Sequence, residues 1–326
     1  MRGSVDDASH RARIEPVADG EPRPTWSVMI PTFDCAHHLR QALEGVLEQA
    51  PGPETMQIEV VDDASSDDPE AVVRAVGGGR VGFVRQPANV GQVANFATCI
   101  RRARGRYVHL LHGDDVVLPG FYEALQRGLD ADPAIGAAWC RWRLIDATGA
   151  ARDEAEPLQA HAGPLPDPLG VLATEQRIVT PSIAVRRSVY ERLGGFDDRL
   201  ACAEDWEMWV RIATTHGVWY EPQLLAAYRT HAGSTTGRNH RLGHELRYTA
   251  MAIDLFARSL PPDRAPAIAR TARRTYARTA LANARGFRAS GDRGAMLAHL
   301  REAVRLSRSP RVLAGAGRVL AGRSSA

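Results

Sequence analysis

The chain has 326 residues, 44% of them apolar, which is enough for one large domain with an appendage or for two domains. Its formal net charge of +3 is unevenly spread: residues 241–326 carry 17 Arg against five acidic residues, so the first 240 residues are net acidic. The four cysteines (Cys35, Cys99, Cys140, Cys202) include no C-x-x-C pair, which argues against a zinc site and a disulfide scaffold and suits a reducing cytoplasm. No apolar run approaches the ~18 residues that span a bilayer. All 41 basic residues are Arg, which with the abundance of alanine suggests a GC-rich genome; no mechanism follows from it.

Met1 to about Pro24 is polar and lacks the apolar core of a signal peptide, so residues 1–24 read as a disordered leader. Ser27-Val28-Met29-Ile30, closed by Pro31, reads as a buried strand. Leu39, Ala42, Leu43, Val46 and Leu47 then recur at helical spacing. Ile58-Glu59-Val60-Val61 is a second strand ending at Asp62-Asp63. A helix over 67–76 stops at Gly77-Gly78-Gly79, a third strand covers 81–84, and a helix over 95–104 ends at Gly105. Tyr107 to Leu111 is the fourth strand. This alternation predicts an α/β fold with a mostly parallel, Rossmann-like sheet and helices on both faces.

A helix follows Pro119 to about Leu129, and Ala137–Leu144 reads as another strand. Residues 147–168, rich in Gly, Pro and charge, are expected to form a mobile loop. A strand over 182–185, a helix over 187–193, an amphipathic helix over 204–215 and two short strands near Trp219 and Leu225–Tyr228 come next. From about 241 the texture changes to Ala/Arg-rich helices, broken at Pro261-Pro262, Ser290-Gly291-Asp292 and Ser309-Pro310. The expected partition is a leader (1–24), a main domain (25–238) and a basic α-helical C-terminal region (239–326). That region suits a solvated bundle or peripheral contact with an anionic membrane; its sparse aromatics and lack of a nucleic-acid motif speak against nucleic acid.

Chemistry concentrates in loops that follow strands. Ile30-Pro31-Thr32-Phe33-Asp34, Val60-Val61-Asp62-Asp63-Ala64-Ser65, Asn89-Val90-Gly91 and His112-Gly113-Asp114-Asp115 all belong to the carboxyl edge of a parallel sheet, where α/β proteins bind ligands. Adjacent carboxylates at Asp114-Asp115 repel unless a cation lies between them and an anionic ligand, and a hard divalent metal holding a diphosphate meets that need. Polar turns are the plain alternative for each loop taken alone. The absence of G-x-G-x-x-G after the first strand, and of any P-loop, removes the main support for dinucleotide and P-loop readings.

Taken in order, these motifs resemble the family 2 glycosyltransferases, inverting enzymes with the GT-A fold. Val61-Asp62-Asp63-Ala64-Ser65-Ser66-Asp67 is similar to their VDDxSxD signature. Asn89-Val90-Gly91, Gly105-Arg106-Tyr107, Asp114-Asp115 and Pro119 match the approach to their metal motif. Gly194-Gly195-Phe196-Asp197 and the segment Ala203 to Arg211 look like their acceptor side, and Tyr228 to Ser234 resembles the close of their catalytic domain.

The resemblance spans about 26–236 and implies a nucleotide-diphosphate sugar as donor, Mg2+ or Mn2+ as cofactor, and a glycan, lipid-linked or small-molecule acceptor. It implies that Pro31, Phe33 and Asp63 contact the nucleobase, and that Thr32, Asp34, Asp62, Asn89, Gly91, Gly113 and Asp115 help to hold the donor. Asp114 and His231 would serve the metal or diphosphate. Glu204 and Asp205 supply the catalytic carboxylates, with Asp205 as general base. The usual pattern is D-x-D; this chain has His112 where the first aspartate stands. That departure keeps open a non-catalytic nucleotide-sugar or glycan-binding relative as the alternative. The expected setting is cytoplasmic, or peripheral at the inner membrane face, in glycan, cell-envelope polysaccharide or natural-product biosynthesis.

Overall fold

The computed structural model describes residues 7–230 and 240–322. These divide into two compact units that interleave along the chain. The first takes Met1–Pro166, Arg177–Ala201 and Thr215–Arg229; the second takes Asp167–Gln176, Cys202–Thr214 and Thr230–Ala326. Two segments ahead of the expected boundary after residue 238 therefore cluster with the C-terminal helices.

In the first unit β1 (Trp26–Thr32), α1 (Ala36–Leu47), β2 (Met56–Asp62), α2 (Pro69–Gly77), β3 (Gly82–Arg85), α3 (Gln92–Arg102) and β4 (Tyr107–Leu110) alternate. They are followed by β5 (Val116–Val117), α4 (Phe121–Ala131), β6 (Ile135–Ile145), β7 (Ala151–Glu154), β8 (Gly163–Pro164), β9 (Ile183–Arg186) and β10 (Gly217–Arg229). The sheet order is β3-β2-β1-β4-β9-β6-β10-β5, with β7 on β6 and β8 on β10. The longest ladders, β1–β2 and β6–β10, are parallel, and β9 runs antiparallel between β4 and β6. β1 is buried along its whole length, as expected for a strand covered on both faces. Val28, Ile30 and Val60 join one core with Leu39, Leu43 and Val46 of α1 and Phe121, Leu125 and Leu129 of α4. Each such side chain contributes about 1.5–3 kcal/mol through burial.

Three local expectations change. Residues 147–168 are not simply a loop: β7 pairs back on β6, and β8 pairs with Trp219 and Tyr220 of β10. The two short strands after residue 217 are one strand of 13 residues, whose register shifts on β6 near Glu221–Ala226 break the apolar alternation. Described leader residues 7–24 are ordered by contacts the local composition does not encode. Ile14 is buried, Ala12 accepts from the Gly195 N–H at 2.8 Å, and the Glu15 carbonyl accepts from Arg187 at 2.9 Å.

The second unit is helical. Pro168–Leu172 and Glu204–Ala213 pack with His244–Phe256, Ala265–Ala289, Arg293–Leu306 and Pro310–Ala321. Trp206 lies against Phe256 and Tyr276, with ring centroids 5.0 and 5.1 Å away, and its indole N–H donates to the Leu172 carbonyl. Ala277, Ala280, Ala284 and Ala303 are fully buried among Leu246, Leu281 and Leu300, so small side chains set close helix spacing. The helix breaks fall where Pro and Gly predict: Gly291 turns at φ 79°, and the Asp292 side chain caps the next helix on the Ala295 N–H. Among the described residues no helix is long and apolar enough to cross a membrane.

Candidate active site

The carboxyl ends of β1, β2, β3 and β4 form one edge, and their loops interlock. Beyond β4, the Leu111 N–H donates to Met29 and the Gly113 N–H to Pro31, so the H-G-D-D turn runs alongside the end of β1. Gly113 permits this approach: a Cβ there would lie 2.8 Å from Thr32 Oγ1 and 2.9 Å from Cys35 Sγ. The Asp115 N–H closes the turn onto the His112 carbonyl at 3.1 Å.

Asp62 and Asp63 have structural duties. Buried Asp62 accepts from the Ser65 N–H and hydroxyl and lies 3.4 Å from Arg85, fixing the turn after β2. Asp63 accepts the Val90 N–H on one oxygen (2.8 Å) and the Gly91 N–H on the other (3.0 Å), tying the Asn89–Gly91 loop to the sheet edge. A carboxylate offers about four acceptor sites, so Asp63 keeps capacity for a further donor such as a base N–H. Asp34, at φ 48°, accepts from the Ser66 N–H and hydroxyl, and Asp67 caps α1 on the Ala36 N–H. Phe33 and Val90 are two large apolar side chains left exposed on this edge, at 46% and 45%. Pro31 and Thr32 are buried, and Asn89 is exposed.

The metal candidates converge. His112, Asp114 and Asp115 each offer a ligand atom within 4.8 Å of the others. The His112 ring stacks on Phe96 at 5.3 Å, and its Nδ1 lies 3.3 Å from Asp115 Oδ2. Asp115 is fully buried; burial lifts its carboxyl to about 6, with His112 and the Arg229 N–H opposing the rise and the Asp114 charge adding to it. Two carboxylates and an imidazole gathered on one short turn suit a divalent cation that keeps several waters. His231 lies outside the described residues.

Arg229 is the residue sequence reasoning missed. It is 2% exposed; its guanidinium donates to the carbonyls of Asp114 (2.7 Å) and Asp146 (2.9 Å) and to Gln41 Oε1 (2.6 Å), while its backbone N–H donates to Asp115 Oδ1 (2.8 Å). It therefore braces the H-G-D-D turn. The only available signal was an Arg at the end of an apolar strand.

In the second unit, Glu204 and Asp205 open the helix Glu204–Ala213 after Ala203, which stands at φ 62°. Glu204 is buried and Asp205 half-buried. Both Asp205 oxygens accept from the Gln176 amide at 2.9 Å, and Oδ1 also takes the Trp206 N–H. Gln176 is a second missed residue, 29 positions away and without any motif. Trp206 and Trp209, on the same helix, are buried core residues. His109 is packing too, buried between the Tyr122 hydroxyl and the Pro181 carbonyl.

A cavity of about 580 Å3 opens at the opposite edge of the sheet, beside Trp26 and Met56 at the strand starts. It holds no comparable set of ligating groups, so volume alone does not mark the chemistry.

A parallel α/β half with double-acid loops at its carboxyl edge, joined to a mixed second half through β9, is the GT-A architecture. The sequence profile of Glycosyl transferase family 2 matches residues 27–194, and the chain belongs to that family. It is 29% identical over 243 residues to an uncharacterized protein of Mycobacterium tuberculosis, covering 71% of this chain and 74% of that one. It is 24% identical over 216 residues to an uncharacterized glycosyltransferase of Rickettsia typhi, covering 65% and 66%. Among solved structures, residues 1–349 of S. aureus TarS with UDP-GlcNAc superpose at TM-score 0.65 and 13% identity, over 91% of this chain and 87% of that one. The mannosyltransferase PcManGT of Pyrobaculum calidifontis, in complex with GDP-Man and Mn2+, superposes at TM-score 0.58 and 19% identity, over 96% and 84%. Both likenesses are of fold.

Proposed function

We propose that this protein is an inverting, metal-assisted glycosyltransferase that moves a hexosyl-type sugar from a nucleotide diphosphate to an acceptor hydroxyl, in glycan, cell-envelope polysaccharide or natural-product biosynthesis. The observation that carries the reading is the convergence of His112, Asp114 and Asp115 at the sheet edge, next to exposed Phe33 and the Asp63-tethered loop. The nucleotide and sugar ligands of the TarS and PcManGT structures support the donor class by analogy.

Phe33 and Val90 offer apolar surface to a nucleobase, and Asp63 accepts from a base N–H. Asp114, with His112 and Asp115 behind it, would hold Mg2+ or Mn2+. When bound, that ion neutralises the departing diphosphate. Asp205 takes the proton of the acceptor hydroxyl as its oxygen bonds to the anomeric carbon. The bond to the diphosphate oxygen breaks on the opposite face, so the configuration inverts. General-base help of this kind is worth ~10²–10⁴-fold. The Gln176 amide fixes both Asp205 oxygens, which orients the base before substrate arrives. The Arg-rich C-terminal helices supply attraction to an acceptor carried on an anionic membrane.

The test is transfer or slow hydrolysis across a panel of sugar nucleotides with Mn2+. Asp114→Ala is expected to abolish both turnover and metal-dependent donor binding, whereas Asp205→Asn keeps donor binding and loses turnover. Donor binding with no turnover in the wild-type protein, over a full acceptor panel, would favour the non-catalytic relative.

A further inference from the structure

We propose that His240, Glu245 and His299 form a transition-metal site in the helical unit, suited to Zn2+ and separate from the site at Asp114. One ligand atom from each of the three lies within 4.8 Å of the other two.

The arrangement is built by the local fold. Gly243, at φ 66°, turns the chain between His240 and the helix His244–Phe256, and its N–H donates to the His240 carbonyl at 3.0 Å. That carbonyl also lies 2.8 Å from Nε2 of His299, on the helix Arg293–Leu306. Facing a carbonyl, Nε2 must carry the ring proton, which leaves Nδ1 as the nitrogen with the lone pair; Nε2 itself lies 4.0 Å from Glu245 Oε1. This is the protonation state in which imidazole binds metals, and an N–H to a backbone carbonyl is a usual orienting partner of a metal-bound histidine. Phe287 packs against both imidazoles, with centroids 5.5 Å from His240 and 5.0 Å from His299, and so limits their rotation.

Two acceptors here lack a donor. His299 is fully buried and, among the described residues, its Nδ1 has no hydrogen-bond partner; Oε2 of Glu245 is likewise buried without one among them. Glu245 Oε1 faces His240 Nδ1 at 3.1 Å. Leaving a buried acceptor unsatisfied is costly, and a cation answers both at once. His240 is 46% exposed on its side chain, which gives an ion a way in.

The donor set decides the metal. Two imidazole nitrogens and one carboxylate oxygen suit Zn2+ and its first-row neighbours, whereas Mg2+ and Ca2+ prefer oxygen alone. Three protein ligands leave a fourth position for water or another group. The residues lie at 240, 245 and 299, a spacing with no sequence motif, and no cysteine takes part.

The experiment titrates chelator-stripped full-length protein with Zn2+ and, as a spectroscopic stand-in, Co2+. Wild-type protein and Asp114→Asn are both expected to bind one equivalent at this site, to give ligand-field bands of a nitrogen-oxygen site with Co2+, and to melt at higher temperature with Zn2+. His240→Ala and Glu245→Gln, at positions that tolerate truncation better than buried His299, are expected to weaken Zn2+ binding at least about tenfold. Both should keep the wild-type circular dichroism and lose the Zn2+-dependent rise in melting temperature. Absence of stoichiometric Zn2+ binding would overturn the proposal. So would binding that is lost in Asp114→Asn but intact in His240→Ala. Neither result bears on whether the protein transfers sugar.

Discussion

Replacing Arg229 tests whether the H-G-D-D turn is braced from behind. Its guanidinium makes three short hydrogen bonds, to the Asp114 and Asp146 carbonyls and to Gln41, while almost fully buried. Hydrogen bonds from a charged group contribute about 1.5–3 kcal/mol each. The gross loss in Arg229→Met is therefore roughly 4–9 kcal/mol, offset by relief of desolvation and of up to ~2 kcal/mol of side-chain ordering entropy. A net destabilisation of about 3–5 kcal/mol is expected, the size seen when one partner of a buried charged network is removed. Against the 5–15 kcal/mol typical of a whole fold, that is a large fraction. Arg229→Lys keeps the charge but not the fork, so it is expected to lose about half as much. The assay is urea unfolding followed by tryptophan fluorescence, paired with calorimetric titration of UDP and GDP in the presence of Mn2+. Because the brace holds the Asp114 carbonyl, both variants should also bind nucleotide diphosphate at least about tenfold more weakly, by the sensitivity of metal sites to their supporting residues. If Arg229→Met unfolds within 1 kcal/mol of wild type and binds the nucleotide equally well, the bracing argument is wrong.

Three further outcomes are expected. Gly113→Ala pushes a methyl group against Thr32 Oγ1 and Cys35 Sγ; it should cost about 1–3 kcal/mol by overpacking and weaken Mn2+-dependent donor binding, read by thermal melting with and without donor. Burial holds the His109 imidazole down to about 3, so the unfolded chain takes up a proton below about 6.5 that the folded chain refuses. The resulting stability is fully present above that pH and falls by about 1.4 kcal/mol per unit as pH drops toward 3; His109→Gln should remove this component of the slope in urea midpoints measured between pH 7 and 5. Gln176→Ala removes the amide that bridges both Asp205 oxygens and is expected to lower kcat about 10- to 100-fold with KM for donor unchanged. Rescue by Gln176→Asn, whose amide is one methylene short, would argue against a distance-sensitive positioning role.

The parts of the molecule that local pattern could disclose are those whose structure is local. β1 to β4 and their helices were legible because each strand is a short apolar run closed by Pro, Gly or Asp, and consecutive parallel strands put successive loops on one edge. For the same reason Asp63, Asp114 and Asp115 could be named together. Pairing over distance was not legible. Leader residues 7–24 are ordered by Gly195 and Arg187, more than 170 positions away. The charged stretch after 147 becomes strand because β6 and β10 offer edges for it. Arg229 braces a turn 115 residues upstream, and Gln176 reaches Asp205 across 29 residues. The basic tail looked like an appendage by composition. Its helices instead share a core unit with Trp206 on the helix that Asp205 opens, a contact for which an amphipathic pattern names no partner.

The central claim is that the H-G-D-D turn binds a nucleotide-diphosphate sugar through a divalent metal. Calorimetric titration of wild-type protein and Asp114→Asn with a panel of UDP- and GDP-sugars, in Mn2+ and again in excess chelator, tests it most directly. Wild-type protein should bind at least one donor in Mn2+ and lose at least about tenfold in affinity in chelator, while Asp114→Asn should bind weakly in both, each lost factor of ten being about 1.4 kcal/mol. Equal donor affinity in Mn2+ and chelator, unchanged by Asp114→Asn, would contradict it.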